Sequence, residues 1–146
     1  MKRILAVLWG DDDGDIVLNS AFEVARLFGL YNLLPVEIRA LDPGRNSSRL
    51  RYLDIDLQGQ YIPGHLIGDR LWVCVRPDQL QALPKDGRPS QNQVPAALNY
   101  VVERPNGVRL EFANDIAVEM PRAQYEKVER AREWVVQIPP DALRVL

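Results

Sequence analysis

The sequence predicts a mainly β protein: two small related barrels, tandem or interleaved, with a short helix near the N-terminus. Three observations carry that expectation. The chain repeats itself after about sixty residues. Asn32-Leu33-Leu34-Pro35-Val36-Glu37-Ile38 returns as Asn92-Gln93-Val94-Pro95-Ala96-Ala97-Leu98, and Leu71-Trp72-Val73-Cys74-Val75-Arg76-Pro77-Asp78-Gln79-Leu80 returns, with one residue inserted, as Glu133-Trp134-Val135-Val136-Gln137-Ile138-Pro139-Pro140-Asp141-Ala142-Leu143. Apolar residues alternate with polar ones over short runs, the period of half-buried strands. Eleven prolines and nine glycines in 146 residues favour turns over long helices. Two copies are too few for a solenoid, so they form a paired β-unit.

The expected organisation is an N-terminal hairpin and helix over 1–29, a first unit over 30–84, a linker over 85–93 and a second unit over 94–146. Ile4 to Trp9 reads as a strand and Asp15 to Leu18 as its hairpin mate. Asn19 or Ser20 caps a helix with Phe22, Val24, Ala25, Leu27 and Phe28 on its apolar face, and Gly29 stops it. In the first unit Leu34, Val36 and Ile38 lead to a turn at Asp42-Pro43-Gly44. Leu50, Tyr52, Leu53, Ile55 and Leu57 predict one strand, and 70–76 another, followed by a helical turn at Pro77-Asp78-Gln79-Leu80. The Pro-, Gly- and Ser-containing stretch 84–93 is the linker.

The second unit follows the same plan. Strands are expected over 94–102, 108–112, 116–120 and 134–138, with turns at Pro105-Asn106-Gly107 and Asn114-Asp115. A helix is expected over 121–132, with Pro121 at its first position and Tyr125 and Val128 facing inward. Such short strands describe a Greek-key barrel of the OB type. The repeat leaves open whether the two barrels are separate or exchange strands.

Composition excludes several functions. Apolar residues make up 47% and charged residues 26%, the profile of a soluble globular protein. A net charge of −2 opposes a general electrostatic grip on nucleic acid, which weakens the alternative of a nucleic-acid-binding OB module. Trp72 and Trp134 head repeated strands and are expected to pack in a core or interface rather than stack on bases. Cys74 is the only cysteine, which excludes an intrachain disulfide and suits a reducing compartment. It aligns with Val136 of the other copy and reads as a buried core residue.

His65, the only histidine, follows Pro63-Gly64 and reads as a solvated turn residue, with no partner set for zinc or Cys–His chemistry. Asp11, Asp12, Asp13 and Asp15 place Gly14 at the fourth position of their run rather than the sixth that a calcium loop needs. Nothing matches the phosphate-cradling G-x-x-x-x-G-K-[ST] phrase, so a non-enzymatic protein without a cofactor is expected. The apolar opening is shorter than a signal peptide's core, and no run approaches the ~20 apolar residues of a membrane span. A cytoplasmic protein without membrane insertion is therefore expected.

Four phrases, in order, resemble those of ABC import ATPases. Asp13-Gly14-Asp15-Ile16-Val17 is similar to a hairpin preceding the last helix of the catalytic domain. Glu23-Val24-Ala25-Arg26-Leu27-Phe28-Gly29 with Leu30-Tyr31-Asn32-Leu33-Leu34-Pro35 resembles the junction into the regulatory region. Val75-Arg76-Pro77-Asp78-Gln79-Leu80 and Gln137-Ile138-Pro139-Pro140-Asp141-Ala142-Leu143 resemble two phrases of the transport-associated OB (TOBE) domain. The resemblance spans Asp13 to Leu146 and leaves Met1 to Asp12 unmatched.

It implies the regulatory and dimerisation region of an importer's ATP-binding subunit, of the sulfate, molybdate, iron or sugar type, without the nucleotide-binding domain. Its implied partners are a second copy and the ATPase and permease components, which would hold it peripherally at the inner membrane. Related molybdate-binding units hold the anion with a Ser-Ala-Arg-Asn-like phrase. Arg88-Pro89-Ser90-Gln91-Asn92 and Leu30-Tyr31-Asn32 stand at that place, which makes Arg88, Ser90, Asn92 and Asn32 candidate ligands for molybdate or sulfate. The Asn is kept in both copies and the Ser-Ala-Arg order is not. The residues read by themselves have Asn32 and Asn92 hydrogen-bonding backbone at the start of a strand. A free-standing oxyanion-binding protein is the alternative that shares these units.

Overall fold

The computed structural model describes residues 29–146. The expected N-terminal hairpin and helix, and the acidic run at Asp11, lie outside the described residues. The first half contributes β1 (Asn32–Asp42), β2 (Ser47–Tyr52), β3 (Ile55–Gly59), β4 (Arg70–Val75) and β5 (Gln81–Pro84). The second contributes β6 (Gln93–Ala96), β7 (Leu98–Arg104), β8 (Gly107–Phe112), β9 (Ala117–Met120), α1 (Arg122–Val128), β10 (Trp134–Gln137) and β11 (Arg144–Val145). Single 3₁₀ turns at Pro77–Gln79 and Pro140–Ala142 follow β4 and β10, each opened by the fixed φ of its proline. The protein is mainly β with small antiparallel sheets, as the alternation and turn content predict.

The two halves share a plan and complete one another. β1 pairs antiparallel with β4 along its first part and with β2 along its second, bulging between Ile38 and Ala40. The run β6–β7 pairs in the same way with β10 and β8, bulging between Leu98 and Tyr100. The closing strands cross over. β5 leaves the first half to pair with β10, Gln81 opposite Gln137 and Ala82 opposite Val136. β11 leaves the second half to pair with β4, Arg144 opposite Cys74 and Val145 opposite Val73. The sheets are therefore β11-β4-β1-β2-β3, β5-β10-β6 and β7-β8-β9, and the barrels exchange strands.

One hydrophobic core spans both halves. Leu34, Ile38, Leu50 and Val73 from the first pack in the same cluster as Leu110, Val118, Trp134 and Ile138 from the second. Among the described residues Trp134 is the largest fully buried side chain, set edge-on to Phe112 with ring centres 6.1 Å apart and planes at 67°. Among the described residues no helix is long and apolar enough to cross a membrane.

Several expectations are corrected. The single strand through Leu50 and Leu57 is two, β2 and β3, because Leu53 adopts φ 54° and turns the chain with its side chain in solvent. The linker is shorter than 84–93 at both ends, since β5 runs through Pro84 and β6 begins at Gln93. Pro84 sits on a sheet edge, where a missing N–H costs no ladder bond. The strand expected over 94–102 breaks at Ala97, and the late helix is one of seven residues, 122–128, with Pro121 as its N-cap. Tyr125 and Val128 do pack against the core.

The alignment of the two tryptophans is off by one residue. Val135 opposes Pro95, so the counterpart of Trp72, which opposes Pro35, is Val135. Trp134 opposes Ala96 and corresponds to Leu71, while Cys74 corresponds to Gln137 rather than to Val136. The inserted residue thus precedes the Trp, and side chains on opposite faces were matched by letter. Trp72 is half-buried on the other face, and its Nε1 is buried without a hydrogen-bond partner.

The two tryptophans should therefore respond differently to truncation in urea-unfolding measurements. Trp134→Ala is expected to cost about 3–5 kcal/mol by opening the shared core. Trp72→Phe removes an unpaired donor and should change stability by less than about 1 kcal/mol in either direction.

Candidate functional site

Four polar residues are buried among those described: Asn32, Ser48, Asn92 and Arg109. All four line or brace two clefts that the internal two-fold relates to one another. Buried polar groups are costly unless they are paired, so their pairing locates the most constrained chemistry in the molecule.

Asn92 ends the linker. The turn before it is tied by Ser90 N donating to Gln93 Oε1 (2.9 Å) and Gln93 N donating to Ser90 O (3.1 Å). Asn92 itself takes φ 62°, a left-handed conformation that Asn tolerates better than most residues. Its carboxamide then pairs with β3 as a strand's backbone would: Gln58 N donates to Oδ1 (2.7 Å), and Nδ2 donates to Gln58 O (2.8 Å). Nδ2 also donates to Ile138 O (2.7 Å), beyond the end of β10. Asn32 performs the reciprocal act on β9, with Ala117 N donating to its Oδ1 (2.8 Å) and its Nδ2 donating to Ala117 O (2.9 Å). Each asparagine thus pairs both ends of its carboxamide with one residue's backbone in the opposite half, and Asn92 adds a bond to Ile138 O in its own half.

The first cleft, about 350 Å³, is lined by Ala40, Asp42, Ser47, Ser48, Arg49, Gln58 and Gln91. Asn92 braces it through Gln58, and Gln91 Nε2 donates to Asn92 Oδ1 at 3.1 Å. Ser48 donates its hydroxyl to Gln60 O at 2.7 Å. The Asp42 carboxylate accepts from Arg45 N at 3.2 Å and lies 3.7 Å from the Arg45 guanidinium, so its charge is partly met. Arg49 has no ion-pair partner among the described residues. Among the described residues the cleft is therefore lined by a guanidinium without an ion-pair partner and by the hydroxyl of Ser47.

The second cleft, about 220 Å³, lies along Tyr31, Asn32, Tyr100, Arg109, Glu111 and Asp115. Its cation is already paired: Arg109 Nη1 donates to Glu119 Oε2 at 2.9 Å, and Nε lies 3.6 Å from Glu111 Oε1. Carboxylates outnumber guanidinium groups there, so this cleft repels an incoming anion.

Asn32 and Asn92 therefore belong to different clefts, which share no lining residue. Arg88 and Ser90 lie on the exposed linker beside Asn92, and both asparagine carboxamides bond backbone through their oxygen and their nitrogen. Ser47, Arg49 and Arg109 were not singled out in the sequence, because no phrase marks them. Only the repeat, carried through in the correct phase, sets Ser47 against Arg109 and Arg49 against Glu111.

The remaining reactive side chains stand apart. Cys74 is buried in β4, and burial pushes its thiol pKa up against a weaker downward pull from Arg144. His65 lies in the β3–β4 loop with Nδ1 3.5 Å from Asp69 Oδ2. Among the described residues no three His, Cys, Asp or Glu side chains are arranged to hold a metal ion.

Asn92→Ala, which strands the Gln58 N–H and two carbonyls, is expected to lose about 2–4 kcal/mol in urea unfolding. Asn92→Asp carries a pH signature. A carboxylate facing the Gln58 and Ile138 carbonyls has a folded-state pKa raised above its unfolded value of about 3.9. That variant should approach wild-type stability below the unfolded pKa and fall behind as pH rises through the folded one.

No protein-family model matches the chain. No curated protein matches it either. Solved structures do match: the chain is similar to the cytoplasmic molybdate-binding protein ModG, solved with molybdate bound, at TM-score 0.66 and 10% identity. The match covers 78% of this chain and 94% of that one. At that identity the likeness establishes fold: the described region has the paired OB-like architecture of ModG.

Proposed function

We propose that this chain is a non-catalytic regulatory and dimerisation module of an ABC importer's ATP-binding subunit, and that its first cleft takes a small oxyanion of the molybdate or sulfate class. The observation that carries the oxyanion reading is the Arg49 guanidinium, without an ion-pair partner among the described residues, in one cleft with Ser47 and Gln91 and against a wall braced by the Asn92 carboxamide. A tetrahedral dianion needs a cation and several donors in fixed positions. Ser47 and Arg49 supply donors from β2, and Arg88 and Ser90, on the linker that carries the lining residue Gln91, are the further candidate ligands. Asn92 and Asn32, with both amide ends committed to backbone, act as positioning residues.

Association is supported by β7. It forms one edge of its sheet and leaves Tyr100 and Val101 in solvent, a surface suited to a second copy. The importer context rests on the four TOBE-like phrases, and the cytoplasm is its proposed place of action. The proposed mechanism is binding, without chemistry. A free-standing oxyanion-binding protein is the second reading, favoured by coverage of nearly the whole of ModG.

Calorimetric titration with molybdate, tungstate and sulfate, with solution mass measured alongside, tests the proposal. A dimer that binds one anion per chain, with at least tenfold weaker binding in Arg49→Met, is the expected result. A monomer that gives no heat with any of the three anions contradicts it. Tight binding by a monomer selects the free-standing reading.

A further inference from the structure

The regular part of the edge strand β7 has a definite length. β7 pairs with β8 alone, and the bulge between Leu98 and Tyr100 breaks that ladder at one end. At the other end Arg104 opposes Gly107, and the chain turns through Pro105-Asn106. What remains is Tyr100 to Arg104, with every residue in register on β8. An edge strand carries backbone N–H and C=O groups on its outer side that one more strand would satisfy.

Side chains directly opposite in an antiparallel pair share a face of the sheet. Arg109 and Glu111 alternate with the core residues Val108, Leu110 and Phe112, so they face away from the core. Their partners Val102 and Tyr100 lie on that outer face, and Arg104 follows two residues on. Tyr100 and Glu111 line the second cleft together with Asp115. Arg109, the cation lining that cleft, is turned inward: its side chain is 7% exposed and donates to Glu119 and to Gly29 O, at 2.9 Å each. The Gly29 backbone lies so close over the guanidinium that a Cβ there would fall 2.7 Å from Nη2. The cleft therefore offers a carboxylate beside a tyrosine ring, a setting that attracts a cation.

The far end of the same stretch carries one. Arg104 is exposed and has no ion-pair partner among the described residues. It shares a recess with Asp78 and Glu119, but Arg76 holds Asp78 (3.0 Å) and Arg109 holds Glu119 (2.9 Å). The neighbouring acid on β7, Glu103, is paired with Arg122.

We propose that two copies pair β7 against β7, antiparallel about a two-fold axis at Val102, and that the partner's Arg104 enters the second cleft over Tyr100 toward Glu111. The inference rests on the association proposed above and adds its register and the residue that each copy contributes. A two-fold pairing that uses all of Tyr100 to Arg104 has to centre on the middle residue, Val102. Tyr100 then opposes the partner's Arg104, and Val101 opposes the partner's Glu103, with no like charges directly opposite. Tyr100 stands between that guanidinium and Glu111, its own neighbour on β8, so ring and carboxylate attract the cation together. The contact is made twice, as an isologous interface requires. With the second cleft filled by protein, the first is left as the anion site, one per chain.

Sedimentation equilibrium of the full chain tests this. Wild type is expected to dimerise, and Arg104→Glu to weaken the dimer about tenfold or more by bringing like charges together. Adding Glu111→Lys to Arg104→Glu exchanges the two signs and should recover most of that loss. Val102→Cys reads the register without altering a charge, and it decides if the charge-exchanged chain does not fold. On the two-fold axis it should close an inter-chain disulfide on mild oxidation, whereas Glu103→Cys, which faces the other side, should not. Cys74 is buried and stays out of the reaction. A dimer that tolerates Arg104→Glu, or in which Val102→Cys stays unlinked, overturns this inference and leaves the proposed association standing. A wild-type chain that stays monomeric contradicts the association itself, and this inference with it.

Discussion

Each half of this molecule is closed by a strand from the other, and the rest of the structure depends on that exchange. β10 receives β5 and β4 receives β11, so neither sheet is complete within its own half. Two carboxamides secure the arrangement, Asn92 on β3 and Asn32 on β9, each replacing a backbone hydrogen-bonding partner across the two-fold. The core follows the same logic. Its buried residues form one cluster drawn from both halves, and the apolar surface of either half alone would face water. Exposed ion pairs such as Arg39–Glu37 and Arg51–Asp56 add little beside this, because solvent screens them.

The same constraint makes the clefts. The asparagine that clamps a strand also fixes one wall of the cleft beside it, so the two recesses have matching frames and independently chosen linings. In the first, a serine and an arginine without an ion-pair partner among the described residues line the recess. In the second, a buried arginine is paired with two carboxylates. Different lining side chains are compatible with one frame, because the frame is held by backbone and by two asparagines rather than by the lining.

Much of this was legible in the sequence. The repeated Asn-x-x-Pro phrase marked both clamps, and the Pro-Asp turns marked the ends of β4 and β10. Strand exchange was not legible, since a repeat has the same letters whether its closing strands stay at home or cross. The tryptophan alignment failed because similarity of side chain outweighed register: a one-residue slip on a strand moves a residue to the opposite face, which is the difference between buried Trp134 and half-buried Trp72. Leu53 was read into a strand because apolar character alone does not reveal a left-handed turn. Arg49 and Arg109 became visible as site residues only once β-bulges fixed the phase of the two copies.

The most direct measurement places a protease site in the exposed linker at Gly87, cleaves the folded chain there, separates the fragments in denaturant and refolds each alone and together. Mutual completion predicts that each fragment alone lacks a cooperative unfolding transition, and that an equimolar mixture recovers one transition close to that of the uncut protein. Cooperative folding of either fragment by itself would contradict the account.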